Sequence, residues 1–135
     1  MKSSSDGMPL KNQIVVLPKG HTFNMNKEMG ILLEYFGINP KKDRLAFNIF
    51  LHVLSNNLKG GVKTKDIMRA EGVTQAAAVY HLNKFIEKGL VIKRGTRYFL
   101  RGESIEVTVD ELKKDFLRRA ERIKKIAKRV DDFIL

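Results

Sequence analysis

The sequence predicts a mostly helical α+β domain with one small β-hairpin and a long closing helix. Three observations carry that prediction. Apolar residues recur at three- and four-residue intervals along most of the chain, threonines and glycines punctuate two short segments where helices would begin and end, and two β-branched and aromatic runs meet across Gly95-Thr96. With 135 residues and 43% hydrophobic content, the chain is long enough for one core with extensions.

The elements follow in order. The first dozen residues read as a polar leader, and Ile14-Val15-Val16-Leu17 is a short β-branched run stopped by Pro18 and Gly20. From Met25 to Phe36, the residues Met25, Met29, Leu32, Leu33 and Phe36 trace one face of a helix ended by Gly37. Asn39-Pro40 opens a second helix, apolar at Leu45, Ile49, Leu51, Val53, Leu54 and Leu58, which Gly60-Gly61 stops. Two shorter helices follow: Thr64 to Glu71, capped by Thr64 and closed by Gly72, and Thr74 to Lys88, capped by Thr74 and closed by Gly89. Leu90 to Arg94 and Arg97 to Arg101 flank Gly95-Thr96, a two-residue connection suited to a type II′ hairpin. Val109 to Leu135 returns to a long helical pattern. Helix, turn, helix and hairpin in that order form the plan of a winged helix-turn-helix. The division expected is an arm at 1–36, a winged helix-turn-helix at 37–103 and a terminal dimerisation helix at 104–135.

Charge narrows the partners. Lys and Arg number 26 against 15 acids, a formal net charge of +11. A polyanion is the natural counterpart of such an excess, and a solubilising surface of thermophile-like composition is the bland alternative. The organisation of the charge favours the first. Thr74 to Arg101 holds six cations, Lys84, Lys88, Lys93, Arg94, Arg97 and Arg101, against Glu87 alone, a net of +5 concentrated on one helix and its adjoining hairpin.

In the helix from Thr74, Val79, Leu82 and Ile86 share one side, which turns Ala77, His81, Lys84 and Lys88 outward. Such a helix enters the major groove with its N-terminal half toward the base edges, while hairpin and flanking cations reach the phosphates. The residues expected at bases are Thr74, Gln75, Ala77, Ala78, Tyr80, His81 and Lys84. Gln75 suits an adenine edge, and the alanine methyls suit close approach and thymine methyls. Those expected at phosphates are Lys63, Lys65, Lys88, Lys93, Arg94, Thr96 and Arg97. An ordinary amphipathic helix, with alanines present for helix propensity, is the competing reading.

The segment Val73-Thr74-Gln75-Ala76-Ala77-Ala78-Val79-Tyr80-His81-Leu82-Asn83-Lys84-Phe85-Ile86-Glu87-Lys88-Gly89-Leu90-Val91 resembles the recognition helix of ArsR-like winged-helix regulators, most tellingly at Tyr-His-Leu and Glu-Lys-Gly-Leu-Val. The resemblance covers Lys41 to Arg101, and MarR-like proteins share its Gly-Leu-Val step into the wing. It implies a dimeric DNA-binding transcriptional regulator. Metal sensors of that family commonly use cysteines, and this chain has none, so thiolate metal sensing gains no support. A small-molecule effector stays open.

The last segment suggests how a dimer would form. Val109, Phe116, Ile123 and Val130 repeat every seven residues, with Leu112, Ile126 and Phe133 on the alternate positions and Arg119 interrupting the seam. This helix either pairs with a second copy or packs back on its own domain. Pairing would set two recognition helices about 34 Å apart, matched to an inverted-repeat operator.

Other classes fit less well. His21, His52 and His81 are scattered without metal-ligand spacing, and His52, within an apolar helix, reads as a core histidine. Lys59-Gly60-Gly61-Val62-Lys63-Thr64 lacks the leading glycine of a P-loop. Neither enzyme chemistry nor a cofactor is expected. No run reaches the roughly 18 to 20 apolar residues of a membrane span, and the N-terminus lacks an apolar signal core, so a cytoplasmic location is expected. A winged-helix protein-interaction module within a larger assembly and an RNA-binding protein are the alternatives. The deep, narrow major groove of A-form RNA disfavours helix insertion.

Overall fold

The computed structural model describes residues 14–16 and 22–135, and readings that fall on the leader, on Leu17 to Gly20 and on His21 lie outside them. Strand β1 (Ile14–Val16) pairs antiparallel with β2 (Thr22–Asn24), and helix α1 (Met25–Tyr35) follows at once, with the Asn24 side chain accepting the Lys27 amide. Helix α2 (Arg44–Asn56) leads to β3 (Val62–Lys63), α3 (Thr64–Glu71), α4 (Gln75–Glu87), β4 (Val91–Arg94), β5 (Arg97–Leu100) and α5 (Ile105–Ile134). The fold is mostly helical, with a small antiparallel sheet of order β3-β5-β4.

Strands β2 and β3 are additions to the sequence reading. The second is two residues long, Val62 opposite Tyr98 and Lys63 opposite Arg97, too short to show a period of its own. Helix α2 begins four residues later than expected. Asn39 organises a turn, its Oδ1 accepting the Lys41 amide at 2.9 Å, and the Asp43 carboxylate then caps the helix by accepting from Ala46 at 3.0 Å.

Helix α2 is the centre of the core. Ala46, Phe47, Ile49, Phe50, Leu51, His52 and Val53 are all buried, so the helix is covered nearly all round by α1, α3, α4 and the sheet. Met29 and Leu33 of α1 belong to the same cluster, so the expected boundary at 36/37 does not separate two cores. His52 is a core histidine, as expected. Its Nε2 lies 2.7 Å from Glu71 Oε2, and Asn48 donates to Glu71 Oε1 at 3.1 Å, which ties the end of α3 to α2. Buried polar groups must find such partners, because an unpaired one costs about 1–3 kcal/mol.

Thr64 does not cap α3; it is the first helical residue, and the preceding Lys63 makes no side-chain cap. Gly72 closes α3 in the left-handed conformation (φ +66°), its amide donating to Met68. The turn Gly72-Val73-Thr74 then delivers α4, and the Thr74 hydroxyl accepts the Ala77 amide at 3.1 Å. Phe85 stacks at a tilt on Phe50, ring centres 5.2 Å apart, and fixes α4 on α2. Across Gly95-Thr96 the hairpin pairs Arg94 with Arg97, and the positive φ of Gly95 (+62°) is what both primed turn types need at that position.

Helix α5 is held at its start. Ser104 caps it, Thr108 is buried, and the Asn57 side chain at the end of α2 bonds the backbone of Leu100, Gly102 and Glu103. Leu112 packs directly over Gly89. A Cβ at Gly89 would come within 2.6 Å of the Leu112 side chain, and φ there is +79°, so both space and backbone demand glycine. No helix among the described residues is long and apolar enough to cross a membrane.

Candidate nucleic-acid interface

The orientation of α4 decides which of its side chains are available to a partner. Its buried stripe is Ala78, Leu82 and Phe85, with Ile86 partly buried against the core. At 100° per residue this stripe leaves Ala76, Val79, Tyr80, Asn83, Lys84 and Glu87 on the outer arc, and all of them except the half-buried Val79 are exposed, as is Gln75 at the open end of the first turn. The sequence reading centred the buried face one residue too far along, on Val79, Leu82 and Ile86.

Two expected base contacts fall with that shift. Ala78 is 0% exposed and sits in the core, so it cannot touch a base. The His81 side chain is 13% exposed and turns toward the start of α2, with Nδ1 3.9 Å from Asp43 Oδ2. Ala77 is half buried beneath the Thr74 cap. The remaining four are exposed: Thr74, Gln75, Tyr80 and Lys84. Tyr80 is 57% exposed, edge-on to His81, with the Lys84 ammonium 5.4 Å from its ring centre. Ala76 and Asn83 share that outer face and were missed. The signal that finds them is Phe85, the bulkiest apolar residue of the segment, which fixes an Ala78, Leu82, Phe85 stripe at i, i+4 and i+7.

The cations divide into separate groups. Lys63, Lys65, Lys93 and Thr96 line one open cleft together with Gln75 at the first turn of α4, so the start of α3, the start of α4 and the hairpin tip converge there. The backbone amides at a helix start add partial positive charge to the same place. Within the hairpin, Lys93 lies opposite Tyr98 on the face covered by helices, its ammonium 5.6 Å from the Tyr98 ring centre. Arg94 and Arg97 face each other on the opposite side of the sheet, because successive strand residues alternate. Arg94 lies over Phe99, and Arg97 donates to the Gly60 carbonyl at 3.5 Å. Lys88 stands apart from all of these, at the far end of α4, in a cavity with Gly37, Asp43, Tyr80 and His81. Arg101 serves α5 instead: it bonds Asp115 and lies 3.9 Å from Glu111.

The terminal seam is uncovered beyond its first turns. Phe116, Ile123, Ile126, Val130 and Phe133 are exposed, and Val109 marginally so. Leu112, expected in a dimer seam, packs on its own domain. The expectation that this helix packs back on its own domain therefore holds for its first turns, and the later turns leave their apolar stripe exposed. Asp115 sits at the junction. The Arg101 hydrogen bond holds its carboxyl below the ordinary carboxylate range against the opposing effect of desolvation, with the charges of Arg101, Arg118 and Arg119 assisting. The Arg101 guanidinium is correspondingly raised by the same hydrogen bond.

Among the described residues no group of three or more His, Asp or Glu is arranged to hold a metal ion. No protein family, no curated protein and no solved structure matches this chain.

Proposed function

We propose that this chain is a winged helix-turn-helix regulator of transcription that binds double-stranded DNA as a homodimer in the cytoplasm. In this reading α4 enters the major groove, the β4–β5 hairpin is the wing, and the uncovered part of α5 pairs with a second copy. The observation that carries it is the convergence of Lys63, Lys65, Lys93, Thr96 and Gln75 around the first turn of α4. Phosphates flanking a groove would meet three ammonium groups there while Ala76, Tyr80 and Asn83 face the base edges and Gln75 stands at the margin between the two. The small Ala76 favours close approach, and Asn83 adds a second amide able to read adenine. Glu87, on the same face one turn beyond Asn83, would repel phosphate and so sets the C-terminal limit of the groove-facing surface. The reading needs neither enzyme chemistry nor a cofactor.

The test is titration of the full chain into mixed-sequence duplex DNA at several salt concentrations. A dimer that neutralises about six to ten phosphates gives a slope of log affinity against log salt of about −5 to −9. Changing Lys65 and Lys93 to Gln removes about two contacts per protomer and flattens the slope accordingly. Absence of binding to duplex DNA at low salt overturns the proposal. The protein-interaction reading would then take its place, favoured by the uncovered Phe116, Ile123 and Val130 stripe.

A further inference from the structure

The net charge of +11 has a second seat. Residues 118–129 of α5 hold seven cations, Arg118, Arg119, Arg122, Lys124, Lys125, Lys128 and Arg129, against Glu121 alone, a net of +6. Together with the +5 of 74–101 this accounts for the entire excess, so the rest of the chain is neutral.

Within this second seat the arrangement is directional. Arg118, Arg122, Lys125 and Arg129 stand at i, i+4, i+7 and i+11, all exposed, within about 60° of one another around the helix. They lie about 130° from the Phe116, Ile123 and Val130 stripe, so they remain in solvent when that stripe is covered. Acids neutralise little of this cluster. Of these seven cations, only Arg118, with Asp115, and Lys128, with Asp132 at 3.0 Å, form ion pairs among the described residues. The earlier part of α5 is built differently: Lys114 lies 3.5 Å from Asp110 and 3.6 Å from Glu111, in the alternation that stabilises an exposed helix. Like charges at i, i+4, such as Arg118 with Arg122 and Lys125 with Arg129, destabilise a helix, so helix stability does not account for the ridge.

We infer that the ridge Arg118, Arg122, Lys125 and Arg129 is a second phosphate-binding surface for the backbone of duplex DNA, separate from the α4 and hairpin site. The inference rests on the DNA-binding reading above. The ridge spans about 16 Å at 1.5 Å per residue, which matches about five successive phosphates of one strand. It carries no aromatic or amide side chain, so it contributes affinity and salt dependence without sequence preference. An anionic membrane would attract the same cations, but a helix lying on a membrane must bury its apolar stripe there, and the dimer uses that stripe.

The experiment compares the full-length chain with R122Q/K125Q/R129Q, in which three exposed cations become good helix formers. On a mixed-sequence duplex of about 50 base pairs, loss of up to three contacts per protomer, six per dimer, flattens the salt slope by up to about 5 and lowers affinity roughly ten- to a thousandfold at low salt. The K65Q/K93Q chain serves as the comparison for the first surface. Repetition on a duplex of about 16 base pairs identifies the source of the phosphates. An effect confined to the long duplex places the ridge on DNA flanking the site. If instead the wild type co-sediments two separately labelled duplexes and the variant does not, the ridge holds a second duplex. An unchanged slope in the triple variant, with wild-type DNA binding intact, overturns the inference and leaves the α4 reading standing. So does loss of binding to phosphatidylserine vesicles with the DNA slope unaltered. Failure of the wild type to bind DNA removes both.

Discussion

Helices α4 and α5 carry the same kind of amphipathic pattern and meet opposite fates. In α4 the apolar stripe Ala78, Leu82 and Phe85 is sealed against α2, whereas in α5 the stripe from Phe116 to Phe133 faces solvent along its whole length. A 3.6-residue period states that a face exists, but not what will cover it. Cover depends on where the chain leads the helix. The tight Gly72-Val73-Thr74 turn presses α4 onto its own core, while α5 leaves the domain after Asp115 and, among the described residues, runs on with its apolar stripe uncovered. The two helices thus differ in outcome: α4 exchanges apolar surface for a fixed polar face, and α5 leaves its apolar surface exposed.

The sharpest way to break this contrast is to empty the α4 stripe. Phe85→Ala removes the ring that stacks on Phe50 and should destabilise the fold by about 3–5 kcal/mol in urea unfolding. A loss below about 1 kcal/mol would mean that α4 is not anchored as described. A smaller effect is expected at the joint between the two helices. Gly89→Ala forces a side chain into a left-handed residue and against Leu112, at about 1–3 kcal/mol, and should raise amide exchange in the first turns of α5. If α5 stays equally protected, the Leu112 contact is not what holds it.

Along the exposed stripe the expected change in domain stability is smaller still. Ile123→Glu replaces a 59% exposed side chain, so at low protein concentration the unfolding free energy should move by no more than about 0.5 kcal/mol. The mass in solution is the readout that matters. Light scattering should give a dimer for the wild type at micromolar concentration and a monomer for the variant. A wild-type monomer removes the basis for pairing through this stripe.

What the sequence made legible follows the same division. The boundaries of α3 and α4 could be read closely because Thr74, Gly72 and Gly89 each mark an end by local chemistry: a side-chain cap or a left-handed residue. The facing of α4 was less legible. Placing it on Val79 and Ile86 cost Ala78 and His81 as candidate contacts and hid Asn83, because an alanine inside the core looks the same in sequence as one at a surface. Strand β3 was invisible, since two residues gain their identity only from Tyr98 and Arg97 across the sheet. The start of α2 moved because an Asn39 turn and an Asp43 cap compete with a Pro40 start, and hydrogen-bond geometry settles that competition. The seam of α5 could be read in heptads, but its change from self-contact at Leu112 to exposure at Phe116 depends on where the domain surface ends.

That change of environment gives the smallest and most specific prediction. Asp115 lies at the last point where α5 touches its own domain, bonded to Arg101, and its carboxyl is held below the ordinary carboxylate range. A group depressed on folding contributes stability that is present above its unfolded value, 3.8, and lost as pH falls through the lower folded value. The wild type should therefore keep this contribution from neutral pH down to about pH 4 and lose it below that. Asp115→Asn cannot ionise, so its melting temperature should lie slightly below the wild type at pH 7, and the gap should close in strong acid. Arg101 stays charged throughout this range, so only the carboxylate titrates. A gap that persists unchanged at pH 2 would show that Asp115 acts through packing, and that the docked half of α5 is held by Leu112 and Thr108 without help from the ion pair.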